Sequence, residues 1–171
     1  MITKVESNEV YHQSKAISSS ALKTIHNKSV FHYLNQAPRK SAALQIGSAI
    51  HTAVLEPEKF YDEVYIMPKI DKRPKSGKEE YARHLKLAEG KSIIEDEDYK
   101  MILKIKKNFE ADEKAVYYTK GDIELSHYTT YEGVDVRVRP DCINKMLGFI
   151  SDPKSCQNNS PRAFKSDVYK W

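Results

Sequence analysis

The chain has 171 residues, with 28 Lys plus Arg against 24 Asp plus Glu and a formal charge of +4. Hydrophobic residues make up 40%, charged residues 30%, and there are only 6 Gly and 7 Pro, which excludes collagen-like and low-complexity classes and leaves enough chain for one domain with its own core. Cys142 and Cys156 form no Cys-x-x-Cys pattern and no run of 18 apolar residues or apolar leader occurs, so a disulfide framework, a zinc ribbon and a membrane span are excluded and a soluble, cytoplasmic protein is expected.

The spacing of Ala21, Leu22, Ile25, Phe31 and Leu34 predicts helix after Ser18-Ser19-Ser20, whose hydroxyls offer N-caps. A loop at Gln36 to Lys40, holding Pro38, follows. A helix is predicted over Ala42 to Leu55, with Leu44, Gly47, His51 and Leu55 on one face and a stop at Pro57. A glycine inside a helix costs about 1 kcal/mol relative to Ala, so close packing is expected against that turn, next to His51. Residues 61–67 have strand propensity. Lys69, Lys72, Arg73, Lys75 and Lys78 then fall within ten residues that contain one acid, Asp71, a basic loop that is either simply solvated or anion-binding. A short helix is predicted from Gly77 to Glu89, and another after Glu95-Asp96-Glu97-Asp98 carrying Met101, Ile102, Ile105 and Phe109, where the acids suit the helix N-terminus.

From Gly121 the period falls from 3.6 to 2. Residues 122–131, 133–139 and 147–152 read as strands of an antiparallel meander, with turns at Gly133 and Asn144-Lys145. Ser155 to Ser160 reads as a loop, and Ala163 to Trp171 as the opening of a helix. Helices first and strands after predict an α+β (α/β-like) domain over 1–171, with a helical part at 1–60, the basic loop and helices at 61–112, core strands at 121–154 and a helix start at 161–171.

The segment Arg139-Pro140-Asp141, followed by Ser151-Asp152-Pro153-Lys154, carries the most chemistry. Asp141 is expected to close one strand. On the next, Asp152 and Lys154 share a face and Pro153 points away. Two acids at adjacent strand ends with a lysine beside them supply what phosphodiester hydrolysis needs: oxygen ligands for Mg²⁺ or Mn²⁺, an activated water, and a cation near developing charge. Charges on the solvent face of a strand have the same spacing, and His51 reads equally as a packed imidazole or a ligand.

The segments GSAIHTAVLEPEKF (47–60), RVRPD (137–141) and ISDPKS (150–155) together resemble the nuclease domain of the RecE-like exonucleases (exodeoxyribonuclease VIII) of the PD-(D/E)xK superfamily. The Ser-rich opening, KRPKSGKEEY and GDIELSHY are also similar to segments of that family, so the resemblance spans the chain. It implies a restriction-endonuclease-like core, with a helical half packed on a mixed, largely antiparallel sheet. It further implies that His51, Asp141 and Asp152 are metal ligands together with the main-chain carbonyl of Pro153, that Glu124 is an accessory acid, and that Lys154 orients or activates water. Asp141, Asp152 and Lys154 are then the catalytic set, Mg²⁺ or Mn²⁺ the cofactor, and Lys72, Arg73, Lys75 and Lys78 the contacts to DNA phosphates. The implied activity is 5′ to 3′ digestion of linear double-stranded DNA ends in recombination, inside a ring-shaped homo-oligomer of bacterial or phage origin that hands single strand to a RecT-like annealing protein. The family continues into a helix bearing Gln and Tyr, so a core incomplete at its C-terminus is expected. The alternative implied by that and by Pro153 is a truncated module that binds DNA or an intact nuclease without cutting.

Overall fold

The structure is a computed structural model that describes residues 1–37, 41–156, 158 and 160–168. The expectations for Pro38 to Lys40, for Gln157 and Asn159, and for helix beyond Val168 lie outside these residues. The architecture is mixed α and β. In chain order the elements are β1 (Ile2–Lys4), α1 (Asn8–Gln13), α2 (Ser19–Asn27), α3 (Val30–Asn35), α4 (Ala42–Leu55), a 3₁₀ turn (Pro57–Lys59), α5 (Phe60–Glu63), β2 (Val64–Met67), α6 (Lys75–Leu87), β3 (Ser92–Glu95), α7 (Asp96–Ala111) and α8 (Glu113–Tyr118). They continue as β4 (Asp122–Ile123), β5 (Ser126–Tyr131), β6 (Val134–Val138), β7 (Cys142–Asn144), β8 (Phe149–Ser151) and α9 (Pro161–Val168). Among the described residues no helix is long and apolar enough to cross a membrane.

Serines open the early helices. The Oγ atoms of Ser7, Ser18, Ser29 and Ser41 accept from the backbone N–H of Val10, Ala21, His32 and Leu44 respectively, each satisfying one of the donors that a helix start leaves unpaired.

The main core lies where α4 and α7 pack on the parallel pair β2 and β3. Ala49, Ala53, Phe60, Val64, Ile94 and Ile102 form it, flanked by Ile46, Ile50, Ile66 and Tyr99. The alanines let α4 approach β3 closely, and Tyr99 stacks on Phe60 with ring centroids 6.0 Å apart. This packing overrides local propensity at residues 61–67. Burial of Phe60 draws Phe60–Glu63 into a helical turn, and only Val64–Met67 is strand. It also sets the rotation of α4. The stripe of Leu44, Gly47 and His51 is not the core face, and Leu44 is 54% exposed.

The predicted meander is two sheets. One has the order β1-β5-β6 and the other β4-β7-β8, all antiparallel. The β5–β6 hairpin turns at Glu132 and Gly133, both at positive φ (49° and 79°), the combination that matches the right-handed twist of its strands. The chain passes between the sheets twice, at Glu124-Leu125 and at Arg139-Pro140-Asp141. Pro140 lacks the N–H that would continue a ladder, so β6 ends at Val138 and Asp141 precedes β7 instead of closing a strand. Likewise β8 ends at Ser151, leaving Asp152-Pro153-Lys154 outside any strand.

Candidate metal centre

The two crossings between the sheets run side by side, and each brings one carboxylate. Glu124 sits at φ 51°, a left-handed conformation that bends β4 away from β5, and its backbone N–H donates to the Asp141 carbonyl at 3.1 Å. α4, held by its alanine face, turns His51 toward this junction. His51 Nε2 lies 3.0 Å from Asp141 Oδ2, and its Nδ1 lies 3.5 Å from Glu124 Oε1. One ligand atom from each of His51, Glu124 and Asp141 falls within 4.8 Å of the others. All three side chains are half-buried.

The donor set fits a hard divalent cation. Two ligands at right angles around an octahedral ion, each about 2.1 Å from it, stand about 3.0 Å apart, the His51–Asp141 separation. Asp141 Oδ2 is also buried and, among the described residues, accepts no well-formed hydrogen bond, with the His51 imidazole 3.0 Å away as its ion-pair neighbour. Such a buried acceptor calls for an explanation, and an ion is one of the few that suits a carboxylate oxygen. One nitrogen with two carboxylates suits Mn²⁺ and Mg²⁺ better than the thiolate-seeking metals.

The charges are arranged for mutual support. The adjacent Asp141 carboxylate raises the His51 pKa against the opposing effect of burial, and Glu124 adds to the rise. Burial opposes ionisation of Asp141, but His51, then Asp152 and Lys154, hold its carboxyl below the usual range. Burial raises the Glu124 pKa, and His51 opposes that. The imidazole thus stands between two acids, each of which favours its protonated form.

Asp152 stands outside the group of three, although it is close. The register pairs Cys142 with Ser151, so Asp141 and Asp152 face each other one step further at the open end of the hairpin. Its side chain is 55% exposed and its carboxylate is paired with Lys154 Nζ. Its pKa is raised by burial and then by the neighbouring Asp141. Pro153, half-buried, follows it in the same unpaired segment. Gly47 faces the segment beyond: a Cβ there would meet Ser155 Oγ at 3.6 Å. That is ordinary contact, so the expected close packing at Gly47 is not found.

The basic segment is elsewhere. Arg73 grips Asp71 with Nε and Nη2, Lys75 lies 3.9 Å from Glu79, and Lys72 sits 4.0 Å above the Tyr81 ring. Lys75 and Lys78 belong to the first turn of α6, not to a loop. Lys69, Lys72 and Tyr81 border a groove of about 560 Å³ that Glu95 to Asp98 also line.

Arg139 falls in the RVRPD segment singled out in the sequence but was given no role there. Its side chain, only 7% exposed, reaches toward Glu124, Nε to Oε2 at 3.9 Å. The alternation of Arg137 with Arg139, just past the end of β6 and flanked by apolar residues, was the available signal.

No curated protein and no solved structure matches the chain. From Ser18 to its last residue it matches the family described as PDDEXK-like domain of unknown function (DUF3799). Domains of this kind typically use divalent metals, and the match suggests a nuclease-type function. The chain therefore belongs to the DUF3799 family of PDDEXK-like domains and, with it, to the PD-(D/E)xK superfamily.

Proposed function

We propose that residues 1–171 act as one nuclease domain of the RecE and lambda-exonuclease type, hydrolysing phosphodiester bonds of linear double-stranded DNA from the 5′ end in the bacterial cytoplasm. The observation that carries this reading is the convergence of His51, Glu124 and the unpartnered Asp141 Oδ2 at the junction of two sheets. These three residues hold Mg²⁺ or Mn²⁺, with Asp152 and the Pro153 carbonyl adjacent. A divalent ion bound there would supply Lewis acidity toward the scissile phosphate and its attacking water. Glu124 and Asp141 fix its place. Lys154 holds the attacking water or meets the negative charge that grows on the phosphate, and Asp152 keeps that ammonium at the site mouth. Lys72 and Lys78 contact the backbone of the duplex. By the same resemblance, single-stranded product passes to a RecT-like annealing protein, and copies of the chain assemble into a ring around DNA.

One observation favours a second reading, a module that binds without cutting. Asp152 and Lys154 are exposed, outside any strand, and bonded to each other. Two measurements separate the readings. Calorimetric titration with Mn²⁺ is expected to show binding to the native chain and none to Asp141→Asn. End-labelled linear duplex is expected to shorten with Mn²⁺ or Mg²⁺, with Lys154→Ala slower by about 10²-fold at unchanged Mn²⁺ affinity, the usual scale for losing one charge stabiliser. Mn²⁺ binding without shortening establishes the binding module. Absence of Mn²⁺ binding overturns the metal reading altogether.

A further inference from the structure

Residues 1–17 lie outside the family match, yet they are built into the sheet beside the candidate metal centre. β1 pairs with β5, and Ile17 bonds the outer edge of β6, with Ile17 N–H to the Asp135 carbonyl at 2.8 Å and Arg137 N–H to the Ile17 carbonyl at 2.9 Å. Two arginines from β6 and its end clamp the segment between. Arg137 donates through Nη1 to the carbonyls of Tyr11 and Ser14, and its guanidinium lies 4.7 Å from the Tyr11 ring centre. Arg139 lies 4.3 Å from the same ring. Its Nε donates to Ser126 Oγ at 2.9 Å and its Nη2 to the Glu6 carbonyl at 3.0 Å, and Glu6 Oε1 is 3.8 Å away.

The two arginines thus make similar anchoring contacts but differ at one point. Only Arg139 also faces the candidate centre, at Glu124 Oε2. A charge this deeply buried needs acidic partners, and Glu6 and Glu124 lie on its two sides. The Glu124 backbone is held by its N–H bond to the Asp141 carbonyl at 3.1 Å, and its carboxylate lies between His51 Nδ1 at 3.5 Å on one oxygen and Arg139 Nε at 3.9 Å on the other.

We propose that Arg139 is a positioning residue through which the N-terminal segment of residues 1–17 holds the Glu124 carboxylate in place for a divalent cation. This rests on the metal reading of His51, Glu124 and Asp141. Partners that orient a ligating carboxylate typically change metal affinity by 10- to 100-fold when removed. Their geometry matters as well as their charge, since the guanidinium donates to Ser126 Oγ and the Glu6 carbonyl at once and so keeps its charge 3.9 Å from Glu124 Oε2, a fixed placement that a single ammonium cannot reproduce.

The test is Mn²⁺ affinity by calorimetry, with thermal melting alongside, in the native chain, Arg139→Gln, Arg139→Lys, Arg137→Gln and Ser126→Ala. Ser126→Ala frees the guanidinium Nε while changing one small buried hydroxyl, so it serves should an arginine variant not fold. The expected result is that both Arg139 variants bind Mn²⁺ at least about tenfold more weakly. Ser126→Ala also weakens binding, and Arg137→Gln lowers the melting temperature but leaves affinity unchanged. In a Glu124→Gln background, Arg139→Lys is expected to add no further loss, the signature of action through that carboxylate. Tighter binding in Arg139→Gln with Arg139→Lys unchanged makes the arginine a mere repelling charge and overturns the proposal. Equal losses in Arg137→Gln and Arg139→Gln make it a generic tether and overturn it too. A native chain that binds no Mn²⁺ removes the metal reading first, and the proposal with it.

Discussion

Glu6 shows how one side chain ties a segment to a sheet and to pH at once. Tyr128 Oη donates to its carboxylate, and Ser126, Arg139 and Lys4 favour the charged form, so its pKa falls below the ordinary 4.5 although burial opposes the shift. A carboxyl whose folded pKa is depressed contributes stability above its unfolded value and loses it as pH falls through the folded value. At the other end Tyr128 is raised above 10.0, by burial first and then by Glu6, so its contribution is present below that value and is lost as pH climbs through the raised one. The pair therefore supports the fold from about pH 4.5 to about pH 10. Melting temperature is expected to fall on acidification below pH 4.5, and Glu6→Gln is expected to be less stable than the native chain at pH 7 and to lose less on acidification. Identical acid profiles for the two proteins would remove Glu6 from the account.

At the scale of the elements, two helical glycines separate ordinary packing from required packing. Replacing a helix-interior glycine by alanine normally stabilises by up to about 1 kcal/mol. At Gly47 a Cβ meets only Ser155 Oγ at 3.6 Å, whereas at Gly77 it falls 1.8 Å from the Asp71 carbonyl oxygen. The latter overlap is with backbone and cannot be relieved by a rotamer change, so the basic segment must move off α6, at a cost of about 1–3 kcal/mol. Gly77→Ala is therefore expected to lower the melting temperature and Gly47→Ala to leave it unchanged or raise it; the opposite order would mean that the Asp71–Pro74 segment yields freely. The sequence pointed to Gly47 because its helical period was plain, and passed over Gly77 because the loop above it leaves no periodic trace. The same limit runs through the fold. The extents of α4 and α7, the cap at Ser18 and the β5–β6 turn were legible, since each is a local signal. The division of the strands between two sheets was not, since it depends on Glu124 adopting a positive φ and on Pro140 ending β6. His51, Glu124 and Asp141 were named through the family resemblance, since spacing alone left each of them open to a plain structural reading. Their grouping, with Glu124 inside it and Asp152 at its margin, follows from where the two crossings meet.

For the molecule as a whole, the question is whether a net charge of +4 is placed to hold a polyanion. α4 links the two regions involved. Ala42, Gln45 and Ile46 border the groove that Lys69 and Lys72 also line, and His51 lies five residues further along, about 7.5 Å of helix axis. One helix thus carries both a border of that groove and a residue of the candidate centre. The groove itself is of mixed sign. Glu95 to Asp98 also line it and repel phosphates, while exposed pairs such as Arg73–Asp71 and Lys75–Glu79 are weak enough to exchange for a phosphate. Only a few cations are therefore free to release counterions, and the slope of log affinity against log salt is expected to be about −2 to −3, near −0.9 per phosphate contact. Lys72→Glu is expected to weaken duplex binding regardless of sequence and make that slope shallower by about one contact. Glu97→Gln, which relieves repulsion across the groove, is expected to strengthen binding at low salt. Fluorescence anisotropy with a short labelled duplex at several salt concentrations reads both changes. A slope indistinguishable from zero, or a Lys72→Glu variant that binds as the native chain does, would place the duplex on some other face of the molecule.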